Sequence, residues 1–376
     1  MNIVIAADKF KGSLTAFEVT DRIRRGLLRA SGRMAVTELP LSDGGDGLAS
    51  VFRQYRSGQV RSATVADPLF RPVPADWLLS EDGTTAVVEM AAASGLQLLS
   101  EGERNAVRTS SFGTGQLIRE SVSAGARKII LGIGGSATND GGIGMAAALG
   151  YRFLDRNGKE LPPVGASLGA LYAIDARSRI PLSGIEVMVA SDVTNPLLGP
   201  EGATRVYGPQ KGLNEEEVEA MERGMEHYTT ILARDLGIDV CGLEGGGAAG
   251  GTGAGCVAFL QASLVSGTGL ALEWSRAEEH MGAADWVLTG EGRLDSQTGS
   301  GKLVGGVAAL AGRLGKPVVA LCGAVDADPE DLDRLGFTAA FSLAKGPVTL
   351  NDACRNAGAL LEDLAYQIGK IIITRT

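Results

Sequence analysis

Three carboxylates in this chain stand at or just beyond the ends of apolar runs. Asp192 follows IEVMVAS, Glu291 follows DWVLTG, and Asp295 lies a few residues further on, in EGRLDSQTGSGK. Acids in such places can hold Mg²⁺ or accept a proton from an alcohol. Their commoner role is to close a turn or cap a helix. Cations share the same loops: Lys9 and Lys11 in Asp8-Lys-Phe-Lys-Gly-Ser13, Arg293 after Glu291, and Lys302. They suit phosphate or a substrate carboxylate. Asp43, in SDGGDG, fits a site or a sharp turn equally well. The chain has only two histidines, His227 and His280, both in polar, charged stretches. General acid–base work therefore falls to carboxylates.

Glycine is the second signal. It supplies 54 of 376 residues, about twice the usual share of roughly 7%. The run LGIGGSATNDGGIG (Leu131–Gly144) concentrates it. The bare backbone of Gly134 and Gly135, with the polar groups of Ser136, Thr138 and Asn139, can wrap an anion. A ligand-free strand–helix corner is the alternative. Asn195 completes a comparable segment, Asp192-Val-Thr-Asn195. These pieces suit phosphoryl transfer, which asks mainly for positioning and charge neutralisation. They require no covalent nucleophile.

Such loops need strands to carry them. NIVIAA (2–7) is apolar throughout, as in a strand buried on both faces. Thr15-Ala-Phe-Glu18 is a capping box that opens a helix to about Arg29. MAVTELPL reads as the next strand, and a helix follows SDGGDG. TTAVVEMA, RKIILGI, IEVMVAS, DWVLTG and PVVALCG read as further strands. Helices are expected over about 113–125, 215–236, 303–314 and 351–373. The run GGGAAGGTGAG (245–255) reads as a second glycine loop leading into an apolar helix. Alternation of strand and helix predicts an α/β fold. The expected arrangement is a Rossmann-like doubly wound parallel sheet built from both chain ends, residues 1–78 and 283–376. An α/β domain with a mixed sheet, residues 79–282, is inserted. In open parallel sheets the ligand crevice lies beyond the carboxyl ends of the strands, where the acids and glycines stand.

Composition narrows the partners. The formal net charge is −9 and no lysine or arginine run is present, so nucleic acid is not expected. The longest apolar runs fall short of a membrane span. Four scattered cysteines without a CxxC pair suit a reducing compartment, and a cytoplasmic location is expected. Oligomeric state is not readable from these features.

The segments IAADKFKGSLTA, SDGGDG, VVEMAAASGL, GIGGSATNDGG, SDVTNPLLG, GPQKG, GAAGGTGAG and TGEGRLDSQT occur in this order. Together they resemble the type I glycerate kinase family over nearly the whole chain. The resemblance implies two α/β domains, ATP and Mg²⁺ as cofactors, and phosphorylation of D-glycerate, usually to 2-phosphoglycerate. It also implies roles. Asp295 or Asp192 would orient the glycerate hydroxyl, and Glu291 and the other Asp would lie near Mg²⁺. Lys9, Lys11 and Arg293 would meet the substrate carboxylate and the phosphates. The Gly134–Asn139 loop would take either the phosphates or the acid. The family commonly has proline two residues beyond the position of Lys302; Val304 stands there instead, which predicts a small effect on loop rigidity.

Three other motifs fit the sequence less well. Gly132-Ile-Gly-Gly-Ser-Ala137 formally fits the dinucleotide fingerprint, but Asn139, Asp140, Gly141 and Gly142 make a poor helix start. Lys302 lacks the companions of a Walker A loop. A sugar kinase of the GHMP type would need a proline-led loop of different spacing. Outside the enzymes, the same loops could serve a non-catalytic binder of phosphorylated metabolites.

Overall fold

The computed structural model describes residues 1–295, 303–346 and 348–374. The strands are β1 (Asn2–Ala7), β2 (Ala35–Pro40), β3 (Gln59–Ala66), β4 (Pro72–Leu79), β5 (Thr85–Glu89), β6 (Lys128–Gly132), β7 (Arg152–Leu154), β8 (Ala173–Asp175), β9 (Glu186–Ala190), β10 (Ser263–Val265), β11 (Trp286–Thr289), β12 (Arg293–Leu294), β13 (Val318–Cys322), β14 (Ala324–Val325) and β15 (Ala339–Ser342). The chain divides into two compact units, one of residues 1–43 and 267–376, the other of residues 44–266.

The first unit carries a parallel sheet in the order β15-β13-β11-β1-β2. Numbered by appearance within that sheet, the order is 2-1-3-4-5, the flavodoxin-like winding. Side chains alternate across β1: Ile3, Ile5 and Ala7 join a buried cluster with Val19, Ile23 and Leu27 of helix Ala16–Ala30 and Leu361, Ala365 and Ile368 of helix Leu350–Ile373. Val4 and Ala6 between them are buried too. Burial on both faces explains the unbroken apolar run. The Thr15–Glu18 capping box closes as expected: the Thr15 hydroxyl accepts from the Glu18 amide, and the Glu18 carboxylate accepts from the Thr15 amide.

The second unit carries a mixed sheet in the order β10-β9-β6-β5-β4-β3. β5, β6, β9 and β10 run parallel, while β3 and β4 form an antiparallel hairpin against β5. The units therefore divide at 43/44 and 266/267 rather than at 78/79 and 282/283, for a packing reason. Val65, Ala75, Trp77 and Leu79 of the hairpin are buried in the core of the second unit. Helix Leu48–Arg56 rests on β5. At the other boundary, helices Gly267–Trp274 and Ala277–Gly282 pack with helix Leu303–Arg313 in the first unit.

The run 245–255 is a turn followed by a helix, Ala248–Leu260, that starts with a kink. Ala249, Gly250 and Gly251 there have φ of 55°, 67° and 84°.

Candidate active site

In the first unit, β1 and β11 are neighbours whose connections wind outward in opposite directions, to β2 and to β13. This is the topological switch point, where ligands sit beyond the carboxyl ends. β1 and β11 carry no charged side chain, so charge first appears in the loops that follow, Asp8–Ser13 and Gly290–Asp295. The Asp8 amide donates to the Gly290 carbonyl at 3.1 Å and ties the two loops together. Lys9 Nζ lies 3.1 Å from Asp43 Oδ1 and 3.6 Å from Asp8 Oδ1. The Lys9 amide also donates to Asp8 Oδ1, at 2.7 Å.

Asp8 is 8% exposed. Burial, with the charges of Asp43 and Glu291, pushes its carboxyl up to about 7 against the pull of Lys9 and its amide. The second loop is stitched to β13 and β14: Gly323 N donates to Glu291 O, and Ala324 N donates to Gly292 O. Arg293, largely exposed, pairs with Asp326 at 2.6 Å. The Ser13 hydroxyl donates to the Cys354 carbonyl at 2.8 Å and anchors the first loop to the C-terminal helix. Lys11 is exposed and makes no ion pair among the described residues. Asp8, Lys9, Lys11, Ser13, Asp43, Glu291 and Arg293 thus line one cavity of about 770 Å³. Asp295 follows β12 and is half-buried. Lys302 lies outside the described residues.

In the second unit the glycine run has a different setting. A Cβ at Gly134 would lie 2.6 Å from Gly45 Cα, and one at Gly250 would lie 2.1 Å from the Thr138 carbonyl oxygen. Three glycine-rich segments, beginning at Gly44, Gly132 and Gly245, are packed main chain to main chain. Asp140 fastens the run from inside. Its carboxylate accepts from Ser111 N and Oγ, each at 2.8 Å, and from Gly142 N and Gly144 N at 3.0 and 3.2 Å. Burial raises its pKa, and those four donors oppose the shift. The next helix starts only at Ile143, past the dinucleotide-type spacing.

Ser136, Thr138 and Asn139 are all buried. The amides of Gly134, Gly135, Ser136, Thr138 and Asn139 donate to no protein acceptor among the described residues. Thr138 Oγ1 and Asn139 Oδ1 are also without a partner, while Asn139 Nδ2 donates to Thr204 Oγ1 at 3.0 Å.

Lys211, which sequence reasoning passed over, lies under this loop. It is 2% exposed, and its Nζ donates to Ser136 Oγ at 3.0 Å and to the Thr138 carbonyl at 2.7 Å. Burial pushes its pKa down to about 7, against the charge of Asp140. The short segment GPQKG was its only signal. Glu89, also passed over, accepts from the amides of Gly47 and Ala49 and so holds the SDGGDG turn. Asp192 accepts from the Ser266 hydroxyl at 2.7 Å. Asn195 is held at both ends, donating to the Glu201 carbonyl and accepting from the Tyr207 hydroxyl.

Of the acids expected near a metal, Asp192 belongs to the second unit and Glu291 and Asp295 to the first. Among the described residues no three metal-ligating side chains are gathered together. Mg²⁺ asks for less: one or two carboxylates, with water and phosphate completing its shell. Burial raises the pKa of Asp8 most, and Asp43 and Glu291 add a repulsion that a divalent cation would relieve. The acids of this cavity therefore fit a divalent cation such as Mg²⁺.

The sequence pattern that defines the glycerate kinase family matches residues 3–373. The glycerate kinase of Bacillus subtilis (strain 168) is 42% identical over 99% of this chain and 98% of its own length. The glycerate 2-kinase of Escherichia coli (strain K12) is 42% identical over 95% of this chain and 94% of its own. A crystal structure of a Salmonella typhimurium LT2 protein assigned as glycerate kinase 2 superposes with a TM-score of 0.83 at 42% identity, covering 100% of this chain and 98% of that one. Matched along its length in sequence and in fold, the chain belongs to the glycerate kinase family.

Proposed function

We propose that this protein transfers the terminal phosphate of ATP to the 2-hydroxyl of D-glycerate, giving 2-phosphoglycerate. The observation that carries the reading is the Gly134–Asn139 loop. Its run of amides without protein acceptors, backed by the buried amine of Lys211, is built for an anion. Likeness to kinases named for glycerate supports the choice of acid.

The remaining roles follow from the chemistry of each group. Asp192 or Asp295 orients the acceptor hydroxyl and takes its proton as the oxygen attacks phosphorus. Lys9, Lys11 and Arg293 offset phosphate charge. Mg²⁺, held through Glu291 and its neighbouring acids, would neutralise charge on the phosphate oxygens. No residue is required to form a covalent bond to the phosphate.

A coupled assay tests the reading: ADP formation must depend on D-glycerate, and ³¹P and ¹H NMR of the product must place phosphate on O2. Asp192→Asn and Asp295→Asn should each lower kcat by about 100-fold or more with circular dichroism unchanged. Near-normal turnover in both variants removes the two acids from the mechanism. Phosphate on O3 corrects the regiochemistry, and absence of ADP leaves a binding protein.

A further inference from the structure

Resting on that kinase reading, we infer that the cavity of the first unit is the nucleotide site, and that its apolar half holds the base of ATP. The cavity is divided by chemistry. One side, at the ends of β1 and β11, is lined by the acids and cations described above. The other is lined by Leu343, Ala344, Leu350, Ala353, Ala357 and Leu360, from the segment after β15 and the first turns of the C-terminal helix. A nucleoside triphosphate has the same division, an aromatic heterocycle at one end and a string of charges at the other. Glycerate is a three-carbon acid with polar groups on every carbon, and it has nothing to place against such a wall.

Three further observations agree. The volume, about 770 Å³, falls within the range of roughly 300–1,000 Å³ for small-molecule sites. The position is the switch point of a 2-1-3-4-5 sheet, where this winding places nucleotide ligands. The rim carries two large apolar side chains in open solvent, Val348 at 55% exposure and Leu350 at 80%. Their exposure is costly in the free protein and is relieved when a planar base covers them. The acids do not oppose the assignment. Lys9, Lys11 and Arg293 stand against Asp8, Asp43, Glu291 and Asp326 in the lining, so phosphates accompanied by Mg²⁺ meet a nearly balanced charge.

Cys354 lines the apolar half and is half-buried, whereas Cys256 and Cys322 are fully buried. In a Cys241→Ser background, alkylation of Cys354 by N-ethylmaleimide therefore reports occupancy without turnover. Saturating ADP should slow it by about tenfold, and saturating D-glycerate should leave it unchanged. A second arm reads steady-state constants. Ala344→Trp places bulk in the apolar half at an exposed position, so the fold is spared. It should raise KM for ATP about tenfold or more and move KM for glycerate less than about twofold. Unaltered labelling with ADP, protection by glycerate instead, or an unchanged KM for ATP overturns the inference. The kinase reading fails separately, through absence of glycerate-dependent ADP in the wild type.

Discussion

Glycines at three positions of the two units serve opposite purposes. At Gly134 and Gly250 of the second unit, glycine is needed because something is already there. Positions 134 and 250 face neighbouring main chain at distances no Cβ tolerates, 2.6 and 2.1 Å. In the first unit, Gly12 has φ of 73° with nothing within 4 Å of an added Cβ, and its loop borders a cavity. One glycine serves close packing and the other serves backbone conformation beside open space. The buried charges diverge in the same way. Asp8 sits at the edge of a cavity among other acids, whereas Lys211 is sealed under a loop and bonded to it. Crowded main chain thus surrounds Gly134 and Gly250, and charged side chains line the opening beside the Gly12 loop.

The strongest way to break this contrast is Gly250→Ala. The residue has φ of 67° and would drive a methyl into the Thr138 carbonyl. Left-handed strain and the clash add, and both can be relieved only by separating two packed segments. The expected loss is about 4 kcal/mol or more, read as a fall in Tm of about 5 °C or more. A variant as stable as wild type shows that the glycine layer yields, and the distinction between units collapses.

Proton linkage sharpens the contrast, because the two buried charges slope in opposite directions. Asp8 titrates near 7 when folded and near 4 when unfolded. Between those values the folded state keeps a proton the unfolded chain has lost, so its contribution falls as pH rises from about 4 to 7. Lys211 titrates near 7 when folded and above 10 when unfolded. Here the unfolded chain holds the extra proton, so the contribution rises from about pH 7 to 10. In metal-free buffer, Asp8→Asn should therefore gain on wild type between pH 4 and 7, and Lys211→Met should lose ground to wild type between pH 7 and 10. Each change is on the order of a few kcal/mol in urea unfolding. Parallel slopes would show that the two sites are not electrostatic opposites.

The elements that position the first cavity were legible because their signals are local. NIVIAA shows burial on both faces, Thr15 and Glu18 cap each other within one turn, and helix Glu215–Leu236 begins and ends where its pattern does. The acids after β9 and β11 were legible for the same reason: a charge directly beyond an apolar strand has few places to go. The hairpin β3–β4 gives no such local signal, since most of Gln59–Ala66 is exposed and its sequence lacks an apolar face. Its burial in the second unit's core, not its sequence, sets the division at 43/44. Lys211 was invisible because a lysine is by default solvated. Its burial depends on Ser136 and Thr138, more than seventy residues away in sequence. The glycine run from Leu131 signals close approach: Gly132, Gly134 and Gly142 meet other backbone, whereas Gly135, Gly141 and Gly144 meet side chains.

Gly12→Ala should have the smallest effect and is the finest test of the contrast. It shares a positive φ with Gly250, 73° against 67°, so an alanine pays a conformational cost at both positions. They differ in surroundings, since no atom lies within 4 Å of a Cβ at Gly12. The alanine variant should lose only about 1 kcal/mol. The difference between the two variants, about 3 kcal/mol or more, then isolates the cost of crowding from the cost of conformation. An equally large loss at Gly12 would mean that its loop, bound through Ser13 to the C-terminal helix, is as tightly held as the layer in the other unit, and that the cavity beside it is rigid before any ligand arrives.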